Sequence, residues 1–469
     1  MDKRILVLLP LLLVAAPALF FHAFSTDEYT YMSTARSYSQ GEFFKIEEPT
    51  RSPLFSLALA VPFLLLGANE LLAKIIAILF GLASVLVVYE MGKRAYGEEK
   101  AFWAALAFSS VPFFAFLSTR VLSESLFLLL VAACVLVLRE VAVENRHSKL
   151  ALLGALSALL FLARYNGLAI GIVVALVLWK EGKLNARFVF SRQMLLGILA
   201  FLAVLSPWFY YSYLETGSPI GLAYNFAKQQ VHVGQQLFMT LPDRIPTMGG
   251  LASIPGTTAL ASIAVIGFPI LLGALLLLSS KSKLDMLRQS ISSKDGFVFF
   301  SALLATAIVG EGIGLLHPSL VRYVVPAAPF VALLVVSRVG ISQSSGKQNK
   351  EEKFFGFDWK KTFAALIVLN VLVGLLLVLL FTPFAPVKLG SYEKQALHRQ
   401  VALLAVNCNS IASNVRNPIL FYTGKNHTEI SLQPECIALS EFEGGYIGEV
   451  PSNYQTVFSQ SGVRLYRKT

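Results

Sequence analysis

Residues 5–41, ILVLLPLLLVAAPALFFHAFSTDEYTYMSTARSYSQG, set an apolar run of 20 residues directly before a polar segment. An α-helix needs roughly 20 apolar residues to cross a bilayer, so residues 5–24 predict a membrane-spanning helix. A signal peptide is the alternative, but its apolar core is usually only roughly 7–15 residues long. We therefore interpret the run as an uncleaved first helix that delivers the polar segment to the membrane surface.

The rest of the chain repeats this apolar pattern. Of its 469 residues, 55% are hydrophobic and 14% charged, and the mean hydropathy is +0.65. Backbone polar groups inside lipid must be satisfied within helices, so the sequence predicts an all-α polytopic membrane protein with about 11 transmembrane helices. The apolar runs lie near residues 5–24, 71–91, 101–117, 122–138, 150–163, 165–179, 194–213, 256–279, 297–316, 323–338 and 362–383.

The net charge of +11 at pH 7 is explained by membrane topology rather than by a nucleic-acid partner. With the N-terminus inside, the inner connections carry 22 of the 39 Lys and Arg residues, the outer loops 9 and the C-terminal tail 8. Basic residues collect on the cytoplasmic side of membrane proteins. The sequence thus predicts a multi-pass membrane protein with a cytoplasmic N-terminus and an extracytoplasmic C-terminal domain.

The composition changes near residue 385. We assign residues 1–385 to a transmembrane module with an outer loop at 25–70, and residues 386–469 to a small α/β domain. In this domain EKQALHRQVALLAV predicts an amphipathic helix, whereas SIASN, PILFYTG, CIALSEF, YQTVFSQ and VRLYRK predict short strands or turns.

Two features of the tail depend on its compartment. Cys408 and Cys436 either form a disulfide in an oxidising compartment or remain free thiols, and the sequence leaves both open. Asn426-His427-Thr428 is a glycosylation sequon, which is usable only if the tail lies outside.

The polar segment after the first run has the pattern of a capped helix. Ser25-x-x-Glu28 has the form of a capping box, and helix-compatible sequence continues to Gly41, which predicts a helix lying along the outer surface. Asp27 and Glu28 fall in its first turn, where the helix dipole favours ionised carboxylates. Tyr31 shares the face of Asp27. The two acids either cap the helix or supply a general base.

Another acid, Glu124, stands at the outer end of the fourth apolar run, in STRVLSESLF. Carboxylates at a membrane boundary facing a helix bundle are costly unless they have a partner or a task. The sequence offers Arg120 as that partner and Ser123 as a cap for the helix that follows.

Arginines gather at the same face, each at the outer edge of an apolar run. They are Arg51 in TRSPLF, Arg164 in LARYNGL and Arg322 in HPSLVRYVVPAAPF. A single arginine there is an ordinary interfacial anchor, but guanidinium groups also bind phosphate through their forked donors. Three of them beside two acidic positions predict a site that holds a phosphate while a carboxylate activates a nucleophile.

The motif Asp27-Glu28-x-x-Tyr31-x-x-x-Ala35-Arg36 resembles the first-loop motif of the GT-C membrane glycosyltransferases, in particular their protein O-mannosyltransferase and lipid A aminoarabinose transferase branches. RSPLFSLALAVPFLLLG, LSESLFLLL, LARYNGLAIGI, SPWFYYSYLETGSPIG and VRYVVPAAPF are similar to later family segments in the same order. The resemblance implies inverting transfer of a monosaccharide from a dolichyl or undecaprenyl phosphate donor to an extracytoplasmic protein, lipid or glycan. It also implies a plasma membrane as the location, since the chain differs from eukaryotic protein mannosyltransferases, which carry an extra luminal module.

Carried over by position, the resemblance gives roles to individual residues. Asp27 would be the base and Glu124 the second acidic residue of the catalytic pocket, and Arg51 would take the place of the family's lysine as a phosphate ligand. The remaining expected substrate-binding residues are Glu28, Tyr31, Arg164, His317, Arg322 and Tyr323.

Other functions remain open at this stage. A polytopic transporter or lipid flippase would also contain intramembrane charges, although these are expected near the bilayer midplane. A catalytically inactive scaffold is a third candidate. No cofactor is certain and a divalent metal is possible, but His232 lacks a paired histidine and is expected to be an ordinary loop residue. Glu311 is expected either to contact substrate or to pair with an arginine.

Overall fold

The computed structural model describes most of the helical bundle and most of the C-terminal tail. The described residues are 2–21, 26–43, 49–226, 228, 285, 288–289, 291–314, 325–337, 353–354, 357–380, 391–413, 416–423, 434–440, 450–460 and 463–469.

The described part of the bundle is built from α-helices, which confirms the predicted helical fold. They are α1 Lys3–Leu6, α2 Leu9–Phe21, α3 Thr26–Ser39, α4 Leu54–Leu66, α5 Glu70–Tyr96, α6 Glu98–Ser109, α7 Pro112–Ser118, α8 Glu124–Ala142, α9 Leu150–Ala163, α10 Ile170–Lys180, α11 Ala186–Val189, α12 Arg192–Thr216, α13 Lys294–Gly314, α14 Ala328–Val336 and α15 Trp359–Leu380. A two-residue hairpin pairs β1 Lys353–Phe354 with β2 Phe357–Asp358.

Within these residues, three helices are long and apolar enough to cross a membrane: α5, α8 and α12. A fourth crossing is counted if α6 and α7 form one span, although they meet at 69°. Several predicted runs form shorter apolar helices, and the run at 256–279 lies outside the described residues. The total of 11 crossings stays a prediction.

The predicted outer loop at 25–70 contains more regular structure than its polar ends suggested. Helix α3 forms as predicted, but it is mostly buried instead of lying on the surface, because α4 packs along it. Helix α4 is itself apolar, with Phe55, Leu59 and Phe63 buried.

Two polar layers mark the ends of the bundle. Helix α8 begins at Glu124 and ends near Arg139 and Glu140, and its 19 residues span about 28 Å, close to the thickness of a bilayer's hydrocarbon core. At the second end, Glu140 pairs with Arg94 and with Lys149, the latter at 2.7 Å. The site considered below lies at the first end, where Glu124 is.

Close contact between α9 and α12 depends on small residues. A Cβ atom added to Gly154 would lie 2.0 Å from the carbonyl oxygen of Gly197, so the two backbones touch directly. Small residues allow such approach between membrane helices. The contact positions α9, whose C-terminal cap is Arg164.

The tail contains a small sheet beside helices, as predicted. A four-stranded sheet has the order β3-β4-β6-β5, with β3 parallel to β4 and the other pairs antiparallel. The tail elements are α16 Ser391–Leu404, β3 Ile411–Ser413, α17 Arg416–Thr423, β4 Cys436–Ser440, β5 Tyr454–Gln460 and β6 Val463–Lys468.

The structure of the tail differs from the prediction in one element, and it shows whether the two tail cysteines are bonded. PILFYTG was predicted as a strand or turn, but its residues form most of helix α17, which packs against α3 and α16. Cys408 and Cys436 form a disulfide. The sequon at 426–428 lies outside the described residues.

Candidate active site

Asp27 lies in the first turn of α3 and faces the start of α4. Its Oδ1 accepts a hydrogen bond from Arg51 Nη2 at 2.9 Å, and both side chains keep some exposure, 40% for Asp27 and 25% for Arg51. Asp27 and Arg51 therefore both keep surface that a ligand could reach.

Glu28, its neighbour, points into the protein. It is completely buried, accepts a hydrogen bond from the backbone N–H of Val121 at 2.8 Å, and pairs with Arg120 Nη2 at 2.5 Å. The sequence offered Arg120 as a partner for Glu124, whereas in the structure Arg120 is bound to Glu28. Because the Glu28 carboxylate has no exposed surface in this structure, its position favours a structural role over the expected contact with substrate.

A chain of contacts links Asp27 to Glu124. The Arg51 guanidinium lies 5.6 Å from the centre of the Tyr31 ring, and Tyr31 Oη is 3.2 Å from Ser123 Oγ. Ser123 was predicted as a helix cap, but its hydroxyl makes no capping bond. It contacts Tyr31 instead and accepts a hydrogen bond from Arg164 Nη1 at 3.3 Å.

Arg164 completes the chain. Its Nη1 lies 2.7 Å from Glu124 Oε1, and both side chains are nearly buried. The cap position of Arg164 on α9 and the first position of Glu124 on α8 bring the two side chains together. Two carboxylate–arginine pairs therefore stand at one end of the bundle and are joined through Tyr31 and Ser123.

Each pair opens onto a depression in the surface. Beside Arg51 is a small pocket whose walls are mostly hydroxyl-bearing, lined by Thr30, Tyr31, Thr34, Tyr38, Arg51, Ser52, Pro53 and Ser56. Beside Arg164 is a second small pocket, lined by Glu124, Phe127, Leu128, Arg164, Asn166, Val325 and Pro326.

The structure describes only some of the expected residues. His317, Arg322, Tyr323 and His232 lie outside the described residues, and Glu311 lies within the helical span of α13. In the part of the chain that is described, no three His, Cys, Asp or Glu side chains are grouped so that they could hold a metal ion.

The structure thus brings together five of the residues predicted from the sequence: Asp27, Tyr31, Arg51, Glu124 and Arg164. Sequence reasoning missed the linking role of Ser123. The only signal was its position directly before Glu124, which also fits a helix cap.

Comparison with protein families gives one match. Residues 49–211 match the family model described as dolichyl-phosphate-mannose-protein mannosyltransferase. This segment contains Arg51, Glu124 and Arg164, whereas Asp27 and Tyr31 precede it. A comparison with curated protein sequences gave no match.

Solved structures share the fold over almost the whole chain. ArnT from Cupriavidus metallidurans in the apo state is 13% identical, with a TM-score of 0.64 over 98% of this chain and 97% of that one. The same protein bound to undecaprenyl phosphate is 14% identical, with a TM-score of 0.62 over the same shares.

A second relative by fold is the oligosaccharyltransferase of Archaeoglobus fulgidus in the apo form. It is 13% identical, with a TM-score of 0.56, and the match covers 90% of this chain and 63% of that one. At these identities the structural likeness establishes a common fold. The chain therefore shares the fold of ArnT and of the archaeal oligosaccharyltransferase, and its residues 49–211 are similar to the dolichyl-phosphate-mannose-protein mannosyltransferase family.

Proposed function

We propose that this protein transfers a single sugar from a polyprenyl phosphate to an acceptor hydroxyl, with inversion at the sugar carbon and Asp27 as the general base. The observation that carries the proposal is the network from Asp27 through Arg51, Tyr31 and Ser123 to the Arg164–Glu124 pair. ArnT, which shares the fold, has been crystallised with undecaprenyl phosphate, and this supports a lipid phosphate as the donor's leaving group.

The exposure of the two first-turn acids favours Asp27 as the base. A base must come within hydrogen-bond reach of the proton that it removes, and Asp27 retains 40% of its side-chain exposure while Glu28 has none. Breaking a buried charge pair costs about 3–5 kcal/mol, far more than separating the half-exposed Asp27 from Arg51. Glu28 therefore has a structural role in our proposal: it holds the segment before α8 against α3.

The proposed reaction conserves charge without a cofactor. Asp27 accepts the proton of the acceptor hydroxyl, whose oxygen attacks the anomeric carbon of the sugar. The bond from that carbon to the phosphate oxygen breaks on the opposite face, and polyprenyl phosphate departs with the bonding electrons. Arginines placed where this charge develops stabilise the transition state more than the substrate.

In this scheme Arg51 holds the donor phosphate beside the base. Arg51 Nη2 lies 2.9 Å from Asp27 Oδ1, so a phosphate bound to the same guanidinium would bring the donor sugar next to Asp27. The guanidinium would also stabilise the charge on the departing phosphate. Arg164 and Glu124 would line the other side of the reacting group, and Arg322, His317 and Tyr323 are proposed to complete the phosphate contacts.

The test is sugar transfer by the purified protein in lipid nanodiscs. We would supply a panel of radiolabelled monosaccharides linked to undecaprenyl or dolichyl phosphate, with membrane extracts as acceptors, and count labelled product. Asp27→Asn should lower the rate on the order of 10²–10⁴-fold while binding of undecaprenyl phosphate, followed by native mass spectrometry, persists.

Asp285→Asn is the matched control, since Asp285 also pairs with an arginine and is also partly exposed. It should transfer sugar at the wild-type rate. Wild-type protein that transfers sugar from no donor of the panel would refute the proposal, and an active Asp27→Asn variant would refute the base assignment.

A further inference from the structure

A second charged cluster joins the tail to the helix that carries Asp27. Glu70, the first residue of α5, accepts a hydrogen bond from Tyr29 Oη in α3 at 3.0 Å. From the tail, Tyr422 Oη donates to the same Glu70 oxygen, and Arg399 Nη2 lies 3.1 Å from the other. Arg399 Nε also donates to Tyr422 Oη at 2.8 Å. We call Glu70, Tyr29, Tyr422 and Arg399 the Glu70 cluster.

A separate contact holds the other half of α3. Arg36 Nη1 donates to the backbone carbonyl of Phe421. The Phe421 ring is buried 5.9 Å from the Tyr29 ring and 6.4 Å from the Phe63 ring, measured between centroids. Phe421 thus belongs to the apolar core of the bundle although it lies in the tail, whose other buried residues form a core of their own.

The two contacts hold α3 at both ends of its buried face. Tyr29 and Arg36 are seven residues apart, or about 10 Å along the helix. Tyr29 follows Glu28 directly and Asp27 by two residues. A movement of α3 relative to the tail would therefore move the carboxylate of Asp27 relative to Arg51.

The phenol groups of Tyr29 and Tyr422 are protonated, as their hydrogen bonds to Glu70 require. Burial and the charge of Glu70 raise the pKa of Tyr422 to about 12, and the same causes raise the pKa of Tyr29. Both phenols therefore stay protonated at neutral pH and act as donors to the Glu70 carboxylate. Hydrogen bonds to a charged acceptor are stronger than neutral ones.

We propose that Tyr422, Arg399 and Phe421 are positioning residues: through the Glu70 cluster and Arg36, the tail holds α3 so that Asp27 keeps the geometry needed for sugar transfer. This inference rests on the proposed function. In the described residues the tail contacts α3 and Glu70, and its action on catalysis is through the helix rather than through substrate.

The test uses the full-length protein in nanodiscs and two independent measurements. The variant is Tyr422→Phe combined with Arg399→Met, which removes both tail donors to Glu70 and leaves Phe421 in place. Hydrogen–deuterium exchange of residues 26–39 should become about tenfold faster, because exchange reports local opening. The rate constant kcat for sugar transfer should fall on the order of 10–100-fold with KM within about twofold, because misplaced catalytic groups slow chemistry more than binding.

Tyr454→Phe is the matched control. It removes a tail hydroxyl whose partner is the carbonyl of Pro434, within the tail itself. It should change neither exchange of residues 26–39 nor kcat.

The outcomes separate the two proposals. If residues 26–39 exchange at the wild-type rate in the double variant, the tail does not hold α3 in place through the Glu70 cluster. If exchange is faster but kcat is unchanged, Tyr422 and Arg399 do not position Asp27 for sugar transfer. If the wild type transfers no sugar from any donor, the proposed function fails, and the positioning role fails with it. The hydrogen–deuterium exchange measurement does not depend on activity, so it still decides whether the tail holds α3 in place.

Discussion

Asp27 and Arg51 contact each other at 2.9 Å, although we propose opposite tasks for them, proton acceptor and phosphate ligand. Both side chains remain partly exposed in this contact. The Glu124–Arg164 pair repeats the arrangement at 2.7 Å in a more buried setting. In our proposal a phosphate ligand would therefore meet arginines that carboxylates already orient.

Arg51→Lys should weaken binding of undecaprenyl phosphate about tenfold, since a lysine keeps the charge but lacks the planar fork that fits phosphate. Arg51→Gln should weaken it further. Titration of nanodisc-embedded protein followed by native mass spectrometry measures both. Arg288→Gln removes another arginine paired with an aspartate and should bind like the wild type; equal binding by all four proteins would exclude Arg51 as a phosphate ligand.

Glu124→Gln should lower sugar transfer on the order of 10²-fold and should lower the thermal unfolding temperature less than Glu28→Gln does, because Arg164 keeps more exposure than Arg120. The amide has the shape of the carboxyl group and its oxygen still accepts from Arg164, while the negative charge is lost. Transfer rate and unfolding temperature are measured on the same preparation. Glu99→Gln, which breaks the exposed pair with Lys360, serves as the control, and a fully active Glu124→Gln would remove Glu124 from the catalytic groups.

Glu28→Gln should instead act on stability. It leaves Arg120 buried without its countercharge, which costs about 3–5 kcal/mol, so the free energy of unfolding in detergent should fall by that order. Adding Arg120→Gln should recover part of the loss, because the unpaired charge is gone. A stable but inactive Glu28→Gln would contradict the structural role and point to contact with substrate.

Gly154→Ala should destabilise the bundle by about 1–3 kcal/mol, because the added Cβ meets the backbone of Gly197. Gly171→Ala is the matched control on α10, where an added Cβ meets no atom within 4 Å. Chemical unfolding in detergent measures both. Since alanine favours helices over glycine, the control should be as stable as the wild type or slightly more so, and equal loss in both variants would argue against the close α9–α12 contact.

Cys408→Ser with Cys436→Ser should make the tail less stable by about 3 kcal/mol, the loss expected for opening a loop with a separation of 28 residues. Limited proteolysis of the tail should speed up in the variant. Reductant should have the same effect on the wild type and none on the variant. A variant that is cleaved no faster than the wild type would show that the bond adds nothing to the stability of the tail.

The sequence predicted secondary structure correctly wherever a residue pattern is compatible with only one type of element. Long apolar runs must become helices in lipid, and α5, α8 and α12 followed from that rule alone. The amphipathic pattern of the tail likewise predicted α16. PILFYTG was misjudged because its apolar residues serve two surfaces: Ile419 packs in the core of the tail and Phe421 in the core of the bundle.

The amino-acid sequence by itself determined the helical membrane fold and the set of acids and arginines that border the apolar runs, because these depend on hydrophobicity and on residue type. The tertiary structure alone decided the partners. Asp27 and Glu28 are adjacent in sequence and equal in charge, yet successive residues of a helix point about 100° apart. One therefore meets Arg51 at the surface, and the other meets Arg120 in the interior.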